Sequence, residues 1–263
     1  MTEPLLSLRG LGIRFGGLVA VDDVNFDLPA GHITCIIGPN GAGKSTLFNL
    51  ITGIYKPTAG SVALNGVDIT GLPAHQVAAK GIARTFQSSR LFEDLPILDN
   101  VMIGMHSRTR TGVLTALLAP GRARRELAGC ADEAGRILKS LSDELFARRH
   151  EPAGILPQAD RRRLEIARAL ASKPKLILLD EPSSGMDDRD TADLMADIRR
   201  VMAENPGLSF LIIEHDMRLV ADLPQDVVVI DYGKKIAHGK FAEVRLLPRV
   251  QQAYLGQKAV EDA

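Results

Sequence analysis

"GPNGAGKST", Gly38 to Thr46, stands between the apolar run "HITCIIG" and a helical pattern from Ser45 to Thr52 that Gly53 closes. A G-x-x-x-x-G-K-[ST] segment that follows a strand and opens a helix has the context a phosphate-binding loop needs. Its glycines let backbone N–H groups turn inward, and the helix N-terminus adds a partial positive charge. Lys44 then reaches the β- and γ-phosphates of a bound nucleotide and the Ser45 hydroxyl ligates Mg²⁺. Gly38, Pro39, Asn40, Gly41, Ala42, Gly43 and Thr46 complete the cradle. The competing reading is a glycine-rich turn that merely links strand to helix, and it gives the Lys-Ser pair no purpose.

Working outward, "KLILLDE" (Lys175 to Glu181), "LSFLIIEHD" (Leu208 to Asp216) and "DVVVIDYGK" (Asp226 to Lys234) are further short apolar runs. Runs of this kind are buried parallel strands. Helical patterns lie between them, such as Asp190 to Ala203 before "NPG", and the alternation predicts a layered α/β fold. "LILLDE" supplies the other half of a phosphate site: Asp180 to hold magnesium through water, and Glu181 to orient the attacking water. Read alone, Glu181 could equally be a solvated strand-end charge. From about Leu91 to Leu156 the sequence turns Arg- and Ala-rich and helix-like, with no convincing strand. The expected organisation is a core of 1–90 and 157–239, a helical subdomain of 91–156, and a tail of 240–263 that Pro248 interrupts.

With 263 residues, 45% of them hydrophobic, the chain can bury a sizeable core. Its 32 basic and 32 acidic residues cancel, so no global field favours nucleic acid or an acidic membrane. Cys35 and Cys130 have neither metal-ligand spacing nor the density of a disulfide framework. An acidic N-terminus and the lack of a run of roughly 18 apolar residues predict a cytosolic chain that meets a membrane through a partner. Arginines at 108, 110, 122, 124, 125, 148, 149 and 161–163 lack the aromatic interleaving of a single-strand binder. Glu126, Asp132 and Glu133 dilute them further, so a solvated helical face is expected and nucleic acid is not. "TGVLTALLAP", Thr111 to Pro120, reads either as an apolar contact for a membrane partner or as a packed core helix.

On these motifs the chain resembles the ATP-binding cassette family along nearly its whole length. The resemblance implies a P-loop NTPase core, a mainly parallel sheet flanked by helices, with an antiparallel β part and an inserted helical subdomain. It also assigns roles. Gln87 in "ARTFQ" sits where the family's Q-loop glutamine meets the metal and the transmembrane partner. His215 in "IIEHDM" matches the switch histidine that contacts the γ-phosphate, and "SSGMDD" resembles the D-loop. Phe15 in "RFGG" falls where an aromatic stacks on adenine, although a core phenylalanine is the plainer alternative. "RFGGLVAVDDVNF", "GIARTFQSSRLFEDLPILDNVMIG", "RRRLEIARAL", "EHDMRLV" and "AYLG" look like the ATP-binding subunits of branched-chain amino acid importers. Such subunits pair with a second, related ATPase at the cytoplasmic face of the membrane, bind permease subunits, and serve a solute-binding protein. The alternative is a cassette that binds ATP as a regulatory or structural clamp with little turnover.

One motif departs. With "RRLEIAR" in register, the family's L-S-x-G-Q falls on Leu156, Pro157, Gln158, Ala159 and Asp160, and three of the five positions differ. In the family the Ser hydroxyl and Gly N–H bind the γ-phosphate of an ATP held by the opposite subunit. Pro157 has neither hydroxyl nor N–H, and Ala159 adds a methyl where backbone must approach closely. A lost hydrogen bond to a charged group costs roughly 1.5–3 kcal/mol. The Asp160 charge, at roughly 5 Å and an effective dielectric near 20, is expected to add about 3 kcal/mol of repulsion. Alternatively, Pro157 simply starts a helix and Asp160 caps or solvates it.

Overall fold

The computed structural model describes residues 3–85, 91–108 and 120–261. The chain runs β1 (Leu6–Phe15), β2 (Leu18–Leu28), β3 (Ile33–Ile37), α1 (Lys44–Ile51), β4 (Ala59–Leu64), β5 (Val67–Asp68), α2 (Ala74–Ala79) and β6 (Ile82–Arg84). Among the described residues, helices α3 (Ile97–Ile103), α4 (Pro120–Leu141), α5 (Asp143–Ala147) and α6 (Gln158–Ala171) follow. The remainder is β7 (Leu176–Asp180), α7 (Asp188–Glu204), β8 (Ser209–Ile213), α8 (Met217–Asp222), β9 (Asp226–Asp231), β10 (Lys234–Gly239), α9 (Phe241–Val244) and α10 (Pro248–Glu261). These elements form two compact units.

The first unit comprises Met1–Arg84, Lys175–Ser183 and Asn205–Ala263. Its six-stranded sheet has the order β10-β9-β3-β8-β7-β6, parallel throughout except for the antiparallel β10–β9 pair. Every residue of β3, β7 and β8 is buried, which is why these strands are apolar along their length and not alternating. A four-stranded antiparallel sheet, β2-β1-β4-β5, is the antiparallel part that the resemblance implied. Leu6, Leu8 and Phe26 from this sheet, Leu47, Phe48 and Ile51 from α1, and Leu178, Leu211 and Val228 from the larger sheet share one core. Ile213 pairs in register with both Ile36 of β3 and Asp180 of β7. The carboxyl ends of these three strands are therefore level, and their loops emerge together at the edge where open α/β sheets bind ligands.

The second unit comprises Thr85–Pro174 and Ser184–Glu204 and contains α3 to α7. It is helical, as expected, but it is larger than 91–156. Helix α6 packs on α3 and α4, burying Leu164, Ala167 and Ala171, while α7 buries Leu194, Ile198 and Val201. The expected boundary at 156 followed the end of the Arg- and Ala-rich, helix-like stretch in the sequence. Packing partners lying far along the chain assign α6 differently.

The tail also differs from expectation. Pro248 starts α10 and does not interrupt a helix, occupying the first helical position where a missing N–H costs nothing. The stretch 109–119, which holds most of "TGVLTALLAP", lies outside the described residues. Among the described residues no helix is long and apolar enough to cross a membrane.

Candidate functional site

The loop after β3 wraps the start of α1 as the glycine spacing requires. A Cβ on Gly38 would collide with the Ile230 carbonyl, and Gly43, at φ 101°, would meet the Ala20 carbonyl. Only glycine lets the backbone follow this path. The β9–β10 turn braces the loop from outside, with Gly233 N–H donating to the Ala42 carbonyl at 2.8 Å. A cleft of about 380 Å³ opens over the loop, lined by Asn40 to Thr46, Leu18 to Ala20, Glu181 and Tyr232 to Gly233. Lys44 is buried, and its ammonium donates to the Gly38 and Pro39 carbonyls at 2.7 and 2.8 Å. Burial lowers its pKa, while Glu181 and Asp180 pull it up.

Asp180 ends β7, as the strand pattern predicted, and Glu181 follows it and reaches the cleft. Glu181 has a left-handed backbone, φ 48°, and its N–H donates to the Ile213 carbonyl at 2.9 Å. A non-glycine residue held in that region stores strain of the kind found at functional sites. Asp180 is buried against Arg84 at 2.8 Å, and Arg84 also donates to Asn49 at 2.6 Å. Neither Arg84 nor Asn49 stood out in the sequence, because their value comes from a pairing between residues far apart in the chain. His215 follows β8 with its side chain 63% exposed. Phe15, at the end of β1, is half-exposed and meets Tyr55 edge-on at 5.3 Å; it does not line the cleft. Gln87 lies outside the described residues. Tyr232 was missed and is 87% exposed at the cleft rim, so an exposed aromatic in a chain with few aromatics was the available signal.

Within the second unit, Pro157 is the residue before α6, with extended backbone and no side-chain cap. Asp160 does not project its charge outward. It is buried and paired with Arg163 at 3.0 Å, and Arg163 also binds Asp197 at 2.7 Å. The expected repulsion of about 3 kcal/mol assumed a bare carboxylate, so that part of the argument falls. The missing hydroxyl and N–H of Pro157 remain. Burial would lower the Arg163 pKa, but Asp197 and Asp160 outweigh it and raise the value. The arginine runs are engaged similarly: Arg161 with Glu93 and the Leu156 and Gly154 carbonyls, Arg108 with Glu133, and Arg148 with Glu151.

Comparison with known proteins agrees with this geometry. The ABC transporter family profile matches residues 21–184. The chain is 40% identical over 257 residues to the high-affinity branched-chain amino acid transport ATP-binding protein BraF of Pseudomonas aeruginosa, covering 98% of this chain and 100% of that protein. It is 39% identical over 260 residues to the protein LivG, of the same description, from Escherichia coli, at 98% and 100% coverage. Among solved structures it resembles a nucleotide-free ATP-binding cassette from an ABC transporter, with TM-score 0.82, 30% identity, and 95% and 98% coverage. The ADP conformation of the cassette MJ1267 matches with TM-score 0.82 and 30% identity, covering 97% of this chain and 100% of that one.

Proposed function

The chain belongs to the ABC transporter family as an ATPase cassette, and on that premise we propose that it powers an importer of branched-chain amino acids or related small solutes. The observation that carries this reading is the Lys44–Ser45 loop facing Glu181 across one cleft, in a chain alike from end to end to branched-chain amino acid transport ATPases. It works at the cytoplasmic face of the membrane on permease subunits, which receive cargo from a solute-binding protein.

Lys44 exchanges the Gly38 and Pro39 carbonyls for β- and γ-phosphate oxygens, and the amides of the first turn of α1 complete the cradle. Among the described residues no cluster of three or more His, Cys, Asp or Glu gathers as a metal cage. Magnesium needs no such cage, because it keeps several waters and binds through one or two protein oxygens and the phosphates. The Ser45 hydroxyl and the Asp180 carboxylate would hold it, with Gln87 as a further ligand, and it would neutralise charge developing on the transferred phosphoryl group. Glu181 orients the attacking water and takes its proton. His215 contacts the γ-phosphate, and Phe15, with its ring still half-exposed, stacks on adenine.

Pro157 and Ala159 weaken the signature that reads the opposite ATP. The working unit is therefore an asymmetric pair with a second ATPase whose own signature is intact. The same two residues favour the alternative, a nucleotide clamp with little turnover. The assembled transporter in lipid vesicles separates the readings. ATP-driven uptake of leucine, isoleucine or valine is expected, and Lys44→Ala should abolish it while weakening ATP binding about 10- to 100-fold per lost phosphate contact. Uptake that survives Lys44→Ala would sink the site. Tight ATP binding without turnover in the parent would establish the clamp.

A further inference from the structure

We propose that Glu214 is a positioning residue that ties the segment carrying Glu181 to the segment carrying His215, so that both meet ATP in one fixed geometry. The inference rests on the roles given above to Glu181 and His215. Glu214 follows β8 directly and is 1% exposed. One carboxylate oxygen accepts from the Ser183 N–H at 2.9 Å, two residues beyond Glu181. The other accepts from the N–H groups of His215 at 2.9 Å and Asp216 at 3.2 Å. A second tie runs the same way, from the Glu181 N–H to the Ile213 carbonyl at 2.9 Å. Two loops that leave neighbouring strands are thus pinned at both edges of the gap between them.

A buried acid is an expensive choice for a fastener unless its oxygens are fully used. Bonds from N–H groups to an ionised carboxylate are about twice as strong as neutral ones, and Glu214 directs them to both loops at once. No apolar side chain accepts these bonds. Glutamine has the right shape but a single acceptor atom, so its NH₂ must face either Ser183 N–H or the His215–Asp216 pair, donor against donor. Glu214→Gln therefore cuts the carboxylate tie between the loops while leaving Lys44 and Ser45 untouched.

The test measures ATP affinity of the full-length chain by calorimetry and ATP turnover of the assembled transporter. Glu214→Gln is expected to lower kcat by about 10- to 100-fold, the scale of a misplacement near 1 Å, with ATP affinity within about twofold of the parent. In a His215→Ala background the same change should have less effect, because one of the two residues it positions is gone. A purely structural role would instead lower ATP affinity in parallel, or multiply fully with His215→Ala, and either result overturns the inference. If His215→Ala lowers turnover and Glu214→Gln does not, the inference alone fails. If His215→Ala leaves turnover unchanged, the role of His215 falls and the inference with it. Should Glu214→Gln not fold, Glu214→Asp decides: it keeps the charge beside His215 and Asp216 but is one methylene short of Ser183. A severalfold loss of turnover at unchanged ATP affinity supports the tie, and parental turnover refutes it.

Discussion

Glu181 can be separated experimentally from the residues that hold nucleotide. It reaches the cleft from a strained backbone position at the end of β7, whereas Lys44 and the loop amides lie against α1. Glu181→Gln removes the proton acceptor and keeps the shape and backbone, so ATP affinity should stay near the parent value. Turnover in the assembled complex should fall about 10²- to 10⁴-fold, the usual contribution of a general base, and a closed ATP-bound dimer should accumulate. Parental hydrolysis by this variant would show that another group activates the water. That Lys44, Ser45 and Glu181 would line one cleft was legible in the sequence, because a loop between strand and helix and an acidic pair after an apolar run have fixed local spacing. Arg84 and Glu214 were not. Arg84 acquires its meaning from Asp180, 96 residues away, and Glu214 from Ser183, 31 residues away. Asp160 was legible as a charge, and its partner Arg163 lies three residues on in the same helix, but the burial of the pair was not legible, since Asp197, the second partner of Arg163, comes from a different helix.

Elements were legible where their periodicity was unmixed. The runs at 32–38, 175–181, 208–216 and 226–234 became β3, β7, β8 and β9 because a strand covered on both faces can only be apolar throughout. Helix α10 falls in the stretch read as a short appendage, because Pro248 reads as an interruption and the end of the sequence is polar. Its attachment depends on single residues: Val250 is buried, and the Tyr254 hydroxyl is buried beside the Gly38 amide without a full hydrogen bond. Burial pushes that phenol up to about 12, with Asp231 adding and the Gly38 amide opposing. A raised folded-state value means the fold favours the neutral phenol. This stabilisation is intact below the unfolded value near 10 and is lost as pH rises through about 12. Tyr254→Phe should match the parent at pH 7 and lack that alkaline loss, a difference of up to about 2 kcal/mol in denaturant unfolding near pH 12. Ultraviolet titration should show a late-ionising phenol in the parent that is missing from the variant. Parallel alkaline unfolding of both proteins would place the Tyr254 hydroxyl in solvent and detach α10 from the phosphate loop.

For the whole molecule the decisive quantity is how many working sites a dimer has. Under the asymmetric reading, each site joins one chain's Lys44 loop to the other chain's signature, so a homodimer would have two defective sites and a mixed pair one. The parent chain alone should therefore hydrolyse ATP slowly and gain turnover with its partner ATPase. Asp160 refines which residues are responsible. Because Arg163 already neutralises its charge, Asp160→Gln by itself should do little for ATP, and it leaves Arg163 bound only to Asp197 inside the helical unit. Pro157→Ser with Ala159→Gly returns the hydroxyl and removes the obstructing methyl. Each recovered bond to the γ-phosphate is worth roughly 1.5–3 kcal/mol, or about 10- to 100-fold in the population of closed dimer. The double variant alone should thus close on ATP far more readily than the parent, and adding Asp160→Gln should change closure little while lowering the melting temperature. ATPase rates and ATP-dependent dimerisation of the parent, the double and the triple variant, each with and without the partner, separate the cases. Brisk hydrolysis by the parent alone would mean that the "LPQAD" tip still reads phosphate. A gain that appeared only in the triple variant would restore the charge of Asp160 as the cause.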